Sequence, residues 1–383
     1  MFAYSNDRKF KLVINIAKKG KLMPLPFILA GAVVALGVGA KKGYDGYQDK
    51  KYADDLIEDA KKNYTEEKEQ LDDLNDQVSL SLEVLGELEL KIGQDLERFE
   101  ELVKQILTNS DFQKYGDTKI NLPQHRLNKI KEVAFSATDY LKTVVGGGVS
   151  GAATGFAVYS GVMAFGAAST GTSISALSGV AAYNATMAAI GGGSLAAGGW
   201  GMAGGAMVLG GAVVAPILAV AGIAYAIHGS KALDNAWKIR DEVSDTVNKI
   251  HQAKEQLTRV DDYASSIYFE LDRIYKIFEQ YFGPLEKVVN VLKEKKKEQL
   301  QEILATAHNQ IEEGYALAAI MAEIISMPLF KVKKDENGKA VLSQDGVPEI
   351  EIDESGMQVL DQSGLDQGLS KAKTEFKDFK SSL

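Results

Sequence analysis

The sequence predicts an all-α protein: a long coiled-coil helical bundle with a central Gly/Ala-rich membrane-inserting helical region and a small C-terminal β-hairpin module. Three observations lead there. Two stretches repeat apolar residues every seven positions, the signature of coiled-coil helices. Between them, Thr143 to Ile227 runs roughly 85 residues without Asp, Glu, Lys, Arg or His, several times the ~20 apolar residues that cross a bilayer. After Pro328 the pattern changes to short apolar segments around Asn337-Gly338, a turn pair that favours hairpins. The expected organisation is a basic N-terminus and apolar helix over 1–43, a first heptad arm over 44–142, and the glycine-rich membrane region over 143–228. A second heptad arm follows over 229–327, and the hairpin with a polar tail over 328–383.

Bulk composition narrows the function classes. The net charge of −9 argues against nucleic acid as the main partner, because phosphate binding needs a basic face. The absence of cysteine excludes disulfides, thiolate metal sites and a cysteine nucleophile. Seven prolines in 383 residues favour long uninterrupted helices.

In chain order, Leu22–Ala40 is uncharged and just long enough to span a bilayer. It lies between basic residues, with Lys41 and Lys42 closing it. A membrane-associated helix, a secretory signal cut after Val38-Gly39-Ala40, and a buried soluble helix all fit it. From Tyr44 the chain is strongly charged. Ile57, Tyr64, Leu71, Val78, Leu85, Ile92, Phe99 and Ile106 form one seam at a spacing of seven. Leu74, Leu88 and Leu102 supply a second seam three places on, while Leu82 and Leu96 shift it by one place, so the apolar surface is wider than a two-stranded seam needs. Gly86 and Gly93 lower helix propensity and suggest a bend. Asn109–Pro123 reads as a loop, and Gln124–Leu141 as a helix leading to Lys142 and the uncharged centre.

Inside the centre, Gly147, Gly151 and Gly155 fall every four residues, as do Gly171, Ser175 and Gly179, and again Gly201 and Gly205. On helices these make flat faces on which another backbone packs closely, the small-xxx-small arrangement of membrane helices. Three segments, Val144–Ala168, Ser175–Ile190 and Leu195–Ile227, account for the stretch, and a hairpin of two spans accounts for it equally well. A soluble alanine-rich core is the bland alternative, against which stands the lack of a charged face. Pro216 should kink the last helix. Lys41, Lys42, Lys142 and Lys231 border the apolar runs, where lysine meets anionic head groups or serves solubility. Trp237 lies just outside the centre, a placement suited to a membrane–water boundary.

The second arm is the cleaner of the two. Ala236, Val243, Ile250, Leu257, Ala264, Leu271 and Phe278 recur every seven residues, with Ile239, Ala253, Val260, Ile267, Ile274 and Tyr281 three places after them. The two arms are expected to lie antiparallel or side by side and bury their seams together. Gly283-Pro284 should end the arm, and a further helix should run from about Leu285 to Met327, its end too short and too acidic to span. The tail from Leu365 reads as polar and weakly helical.

No catalytic constellation emerges. Gly199-Trp-Gly201-Met-Ala-Gly204 matches G-x-G-x-x-G, but no strand pattern precedes it and the next acid is Asp234, so a dinucleotide site lacks its context. His125, His228, His251 and His308 belong to no H-E-x-x-H motif, and His308 with Glu312 reads as a helix-surface pair. The pairs Asp72-Asp73 and Asp261-Asp262 sit in the heptad arms and read as solvated faces. The expectation is a protein that is not an enzyme, with no cofactor and no metal.

The layout of charged helices, a glycine-rich apolar insert including Gly191-Gly-Gly-Ser-Leu-Ala-Ala-Gly198, and charged helices again resembles α-helical pore-forming toxins of the cytolysin A and two-component helical toxin kind. Apolipoprotein L proteins share a similar plan, and the glycine-rich strings look like segments of uncharacterised bacterial membrane proteins. The resemblance implies a lipid bilayer as partner, with a homo-oligomer or a companion helical protein, and perforation or remodelling of that bilayer. A resident membrane scaffold whose arms bind proteins is the alternative. The centre is longer than the short hairpin those toxins hide, and the apolar segment Leu22–Ala40 is an addition to their plan. No functional residue carries over.

Overall fold

A computed structural model describes residues 44–115, 121–141, 153, 156–157, 232–294, 297–341, 349–353 and 358–382. Among them the chain is all-α. Helix α1 spans Tyr44–Leu107, α2 Ser110–Tyr115 and α3 Gln124–Tyr140. Helix α4 spans Ala232–Phe278 and passes through a 3-10 turn, Glu279–Tyr281, into α5, Phe282–Glu294. Helix α6 covers Lys297–Ile325 and α7 Gln362–Ser382. The expected break at Gly283-Pro284 is therefore a change of helix rather than an exit. Both residues sit in the first turn of α5, where proline's missing N–H costs nothing.

The chain divides into two compact units. The first is Met1–Val78 with Gly211–Thr258 and Glu354–Met357. The second is Ser79–Gly210 with Arg259–Asp353 and Gln358–Leu383.

In the first unit, the beginnings of α1 and α4 run parallel. Tyr52 meets Trp237, Ala60 packs with Ile239, Val243 and Val247, and further along both helices Glu67 meets His251 and Lys254. Ile57 and Tyr64 flank that apolar cluster. The first seam is closed at Leu71 and Val78, both buried.

In the second unit, the later parts of α1 and α4 are parallel too. Lys91 on α1 pairs with Glu279, and Arg98 with Glu286 on α5. Leu85, Ile92, Phe99 and Ile106 are buried on α1, as are Leu257's successors Ala264, Leu271 and Phe278 on α4. Side chains fully removed from water in this way contribute about 1.5–3 kcal/mol each when large and apolar. Phe99 stands at the centre, its ring 5.2 Å from Phe278 and 5.1 Å from Tyr315 of α6. Gly314 beside Tyr315 leaves the space that the Phe99 ring fills. The apolar end of α6 is buried on nearly every side from Leu317 to Ile325, as a helix without a charged face must be.

The second α1 seam falls four places after the first, not three. Asn75, Leu82, Glu89, Leu96 and Val103 are buried, while Leu74, Leu88 and Leu102 are half-buried. The alternation of four and three keeps both rows on one side of a helix with 3.6 residues per turn. It also places two polar residues, Asn75 and Glu89, in the buried row, and Glu89 is only 2% exposed.

Residues Leu329–Asp361 contain no named strand among those described. They hold isolated antiparallel bridges: Phe330 with Leu360, Val332 with Ile350, Lys334 with Ala340 and Ile352 with Gln358. The hydrogen bonds explain the form. Lys331 N–H donates to Val359, Val359 N–H to Glu351, and Glu351 N–H to Lys331, closing a ring. Lys333, Glu349 and Val341 close a second ring in the same way. Each segment gives its N–H to one neighbour and its C=O to the other, so backbone groups are satisfied without an extended ladder. Gly338, at φ 77°, turns the chain between Asp335 and Lys339.

Helix α7 is a full docked helix, stronger than the weak helicity expected of the tail. Leu365, Leu369, Ala372, Phe376 and Phe379 form its buried row. The cation of Arg273 on α4 lies 4.8 Å from the Phe376 ring, and Tyr263 donates a 2.8 Å hydrogen bond to Asp366.

Candidate functional site

The residues that flank the uncharged centre are the natural place to look for function. On its near side, α3 packs across α1 in the second unit. Thr138 donates to Glu97, and Ala137 sits so close to Gly93 that a Cβ there would lie 2.1 Å from its methyl group. The first described residues of the centre continue this contact. A Cβ at Gly86 would fall 1.8 Å from the carbonyl oxygen of Ala153. Leu90, Ala137, Tyr140 and Phe156 form one buried cluster, with the Tyr140 and Phe156 rings edge-to-face at 5.1 Å. Gly86 and Gly93 are thus points where a second backbone comes close. The α1 helix continues through both of them.

On the far side, α4 begins at Ala232 in the first unit. Trp237 is half-buried, with its ring 6.1 Å from that of Tyr52 and the Arg240 guanidinium 4.2 Å from its own ring centre. Arg240 is also tied to Asp241 at 2.6 Å. Further along the same pair of helices, Glu67 accepts hydrogen bonds from Lys254 at 2.6 Å and faces His251 at 3.0 Å, with Gln70 also bound by Lys254. The hydrogen bond from Lys254 holds the Glu67 carboxyl below the usual carboxylate range.

Two further polar groupings tie helices together in the second unit. Tyr275 donates to Asp95, and burial keeps its hydroxyl protonated far above the ordinary tyrosine range, with the acid reinforcing the effect. Arg126 of α3 meets Glu323 of α6 at 3.0 Å and Glu375 of α7 at 2.6 Å. Lys371 joins the same acids, and the hydrogen bond to Glu323 raises its affinity for its proton. These arrangements fasten helices to one another. His308 and Glu312 lie 3.6 Å apart on one helix face, and no cluster of metal-ligating residues occurs among the described residues.

Of the residues singled out in the sequence, Leu71, Val78, Leu85, Ile250, Leu257 and Leu271 are buried, and Trp237 stands beside Tyr52. Gly147, Gly151, Gly155, Gly171, Ser175, Gly179, Gly201, Gly205 and Pro216 lie outside the described residues, as do Lys41, Lys42, Lys142 and Lys231. No described helix is long and apolar enough to cross a membrane. Periodicity in the sequence does not single out Gly86, Gly93 or Tyr52 as site residues. For the glycines, the available signal was their spacing of seven on the α1 face.

No protein-family model matches the chain, and neither a curated protein nor a solved structure matches it.

Proposed function

We propose that the protein inserts its uncharged centre into a lipid bilayer and perforates or remodels it as an oligomer, with the helical arms serving as a water-soluble mount. The observation that carries this reading is the run from Thr143 to Ile227 without a charged side chain. Such a run has no charged face to offer water, whereas helices within a bilayer satisfy every backbone group internally. The glycine rows then let inserted helices pack closely. The arms support the reading from the other direction: they bury their own seams with charged residues on the outside, and of the centre only Ala153, Phe156 and Ala157 are described within their core. On this reading the arms are coiled-coil-like, and the ringed segment after Pro328 takes the place of the expected hairpin as a compact cap. No step of this function calls for a catalytic group.

A resident scaffold, always spanning and binding partners through its arms, is favoured by one observation: the separate apolar segment Leu22–Ala40. Purification decides between them. Protein obtained without detergent that releases dye from liposomes supports insertion from solution. Protein that is stable without detergent, never floats with vesicles and never releases dye overturns both membrane readings. Protein recoverable only in detergent selects the resident scaffold.

A further inference from the structure

In the first unit, α1 and α4 are parallel, so Tyr44 and Ala232, where they begin, lie at the same end of the pair. Two uncharged segments lead into that end. Leu22–Ala40 stops just before Lys41-Lys42-Gly43, and the centre stops at Ile227, just before His228-Gly229-Ser230-Lys231. At a maximum reach of about 3.6 Å per residue, both segments come within about 20 Å of the helix starts. Tyr52 is 52% exposed there, the most exposed large apolar side chain among the described residues of α1. Its neighbour is Trp237, whose face carries the Arg240 cation. At a rise of 1.5 Å per residue, Tyr52 and Trp237 stand about 8–12 Å from the ends of their helices.

We infer that this end of the first unit is a bilayer-docking surface, with Tyr52, Trp237 and Arg240 seated at the lipid–water boundary. The inference rests on the membrane reading above. It adds where the bilayer lies and which described side chains touch it. Tryptophan and tyrosine favour the headgroup region because a flat apolar ring and a polar handle are both satisfied there. Arginine reaches phosphate while its planar face stays on the indole. The described charges nearby are mixed, with Lys51, Asp54 and Asp55 on α1 and Asp234, Lys238 and Asp241 on α4, all exposed. The surface therefore matches a zwitterionic headgroup layer, its anchoring supplied by aromatic rings more than by net charge.

The chain has two tryptophans, so Trp200→Phe leaves Trp237 as the sole reporter. This variant is mixed with phosphatidylcholine vesicles whose acyl chains carry bromine near the headgroup, and flotation establishes binding. The expected result is a shift of Trp237 emission to shorter wavelength and a loss of intensity to the bromine. A second reporter, with Trp200→Phe, Trp237→Phe and Phe269→Trp, places the ring at an exposed position of α4 in the second unit, where Phe269 is 54% exposed. That ring is expected to keep its emission. Protein that floats with the vesicles while Trp237 is unquenched overturns the docking surface and leaves the membrane reading standing. Protein that floats only with vesicles containing anionic lipid overturns the docking surface, and protein that floats with neither kind and releases no dye overturns the membrane reading as well.

Discussion

At the scale of single residues, the glycines of the first long helix separate packing from propensity. Gly86 and Gly283 both occupy helices, but a Cβ on Gly86 would strike the Ala153 carbonyl and one on Gly283 would meet open space. Gly86→Ala is therefore expected to destabilise the protein by about 1–3 kcal/mol through overpacking. Gly283→Ala is expected to be neutral or stabilising by up to about 1 kcal/mol, from helix propensity. Denaturant midpoints of the two variants check the contrast. Glu67 supplies a pH test. Its carboxyl is held below the usual range by the Lys254 hydrogen bond, with His251 alongside, so the folded state binds its proton less readily than the unfolded chain. The stability it adds is fully present above the ordinary glutamate value of about 4.3 and is lost as pH falls through the lower folded value. Glu67→Gln removes this term, so the wild type should lose more melting temperature than the variant between pH 6 and pH 3, as thermal scans across that range will show.

At the scale of elements, periodicity carried most of what could be read. The α4 row from Ala236 to Phe278 is buried throughout, because apolar residues at the spacing of a helical turn have only one face to occupy. On α1 the first row was equally legible, but the second was displaced by one residue. Leu74, Leu88 and Leu102 advertise a row three places on, whereas the helix buries Asn75 and Glu89 to keep the row four places on continuous. Hydrophobicity alone has no means to find a buried glutamate. Helix α7 was undervalued for the opposite reason. Its buried row, Leu365, Leu369, Ala372, Phe376 and Phe379, is regular, but lysines and the glycines at 364 and 368 dilute it. Gly368 is explained by the Met327 sulfur atom that lies 2.0 Å from where a Cβ would stand. The closed hydrogen-bond rings of Lys331, Glu351 and Val359 join residues distant in sequence, which local alternation does not reveal. Since Phe376 is almost wholly buried, Phe376→Ala should cost about 3–5 kcal/mol if α7 unfolds with the rest of its unit. Hydrogen exchange that rises in α7 alone would show that the helix detaches by itself.

At the scale of the whole molecule, the proposed membrane role rests on the uncharged run from Thr143 to Ile227. What the described residues contribute is the placement of its flanks. Helix α3, which leads into it, and the later part of α4, which follows it, belong to the same compact unit. If the centre spans a bilayer while α3 and the later part of α4 stay in one unit, those two helices lie on one side of it and the number of crossings is even. The absence of native cysteine allows a direct check. Single cysteines at Glu132 on α3 and Ser266 on α4, both exposed, should react alike with an impermeant maleimide added outside protein-loaded vesicles. Labelling of one and protection of the other would contradict the even count. The most direct test of the central claim is protease protection on vesicles. The centre contains neither lysine nor arginine, so trypsin cannot report on it and a broad-specificity protease is needed. The account predicts that vesicle-bound protein yields a protected fragment from within the uncharged stretch between residues 158 and 227, identified by mass spectrometry, while the arms and the 153–157 segment packed on them are degraded. Degradation of that stretch at the same rate with and without vesicles would contradict it.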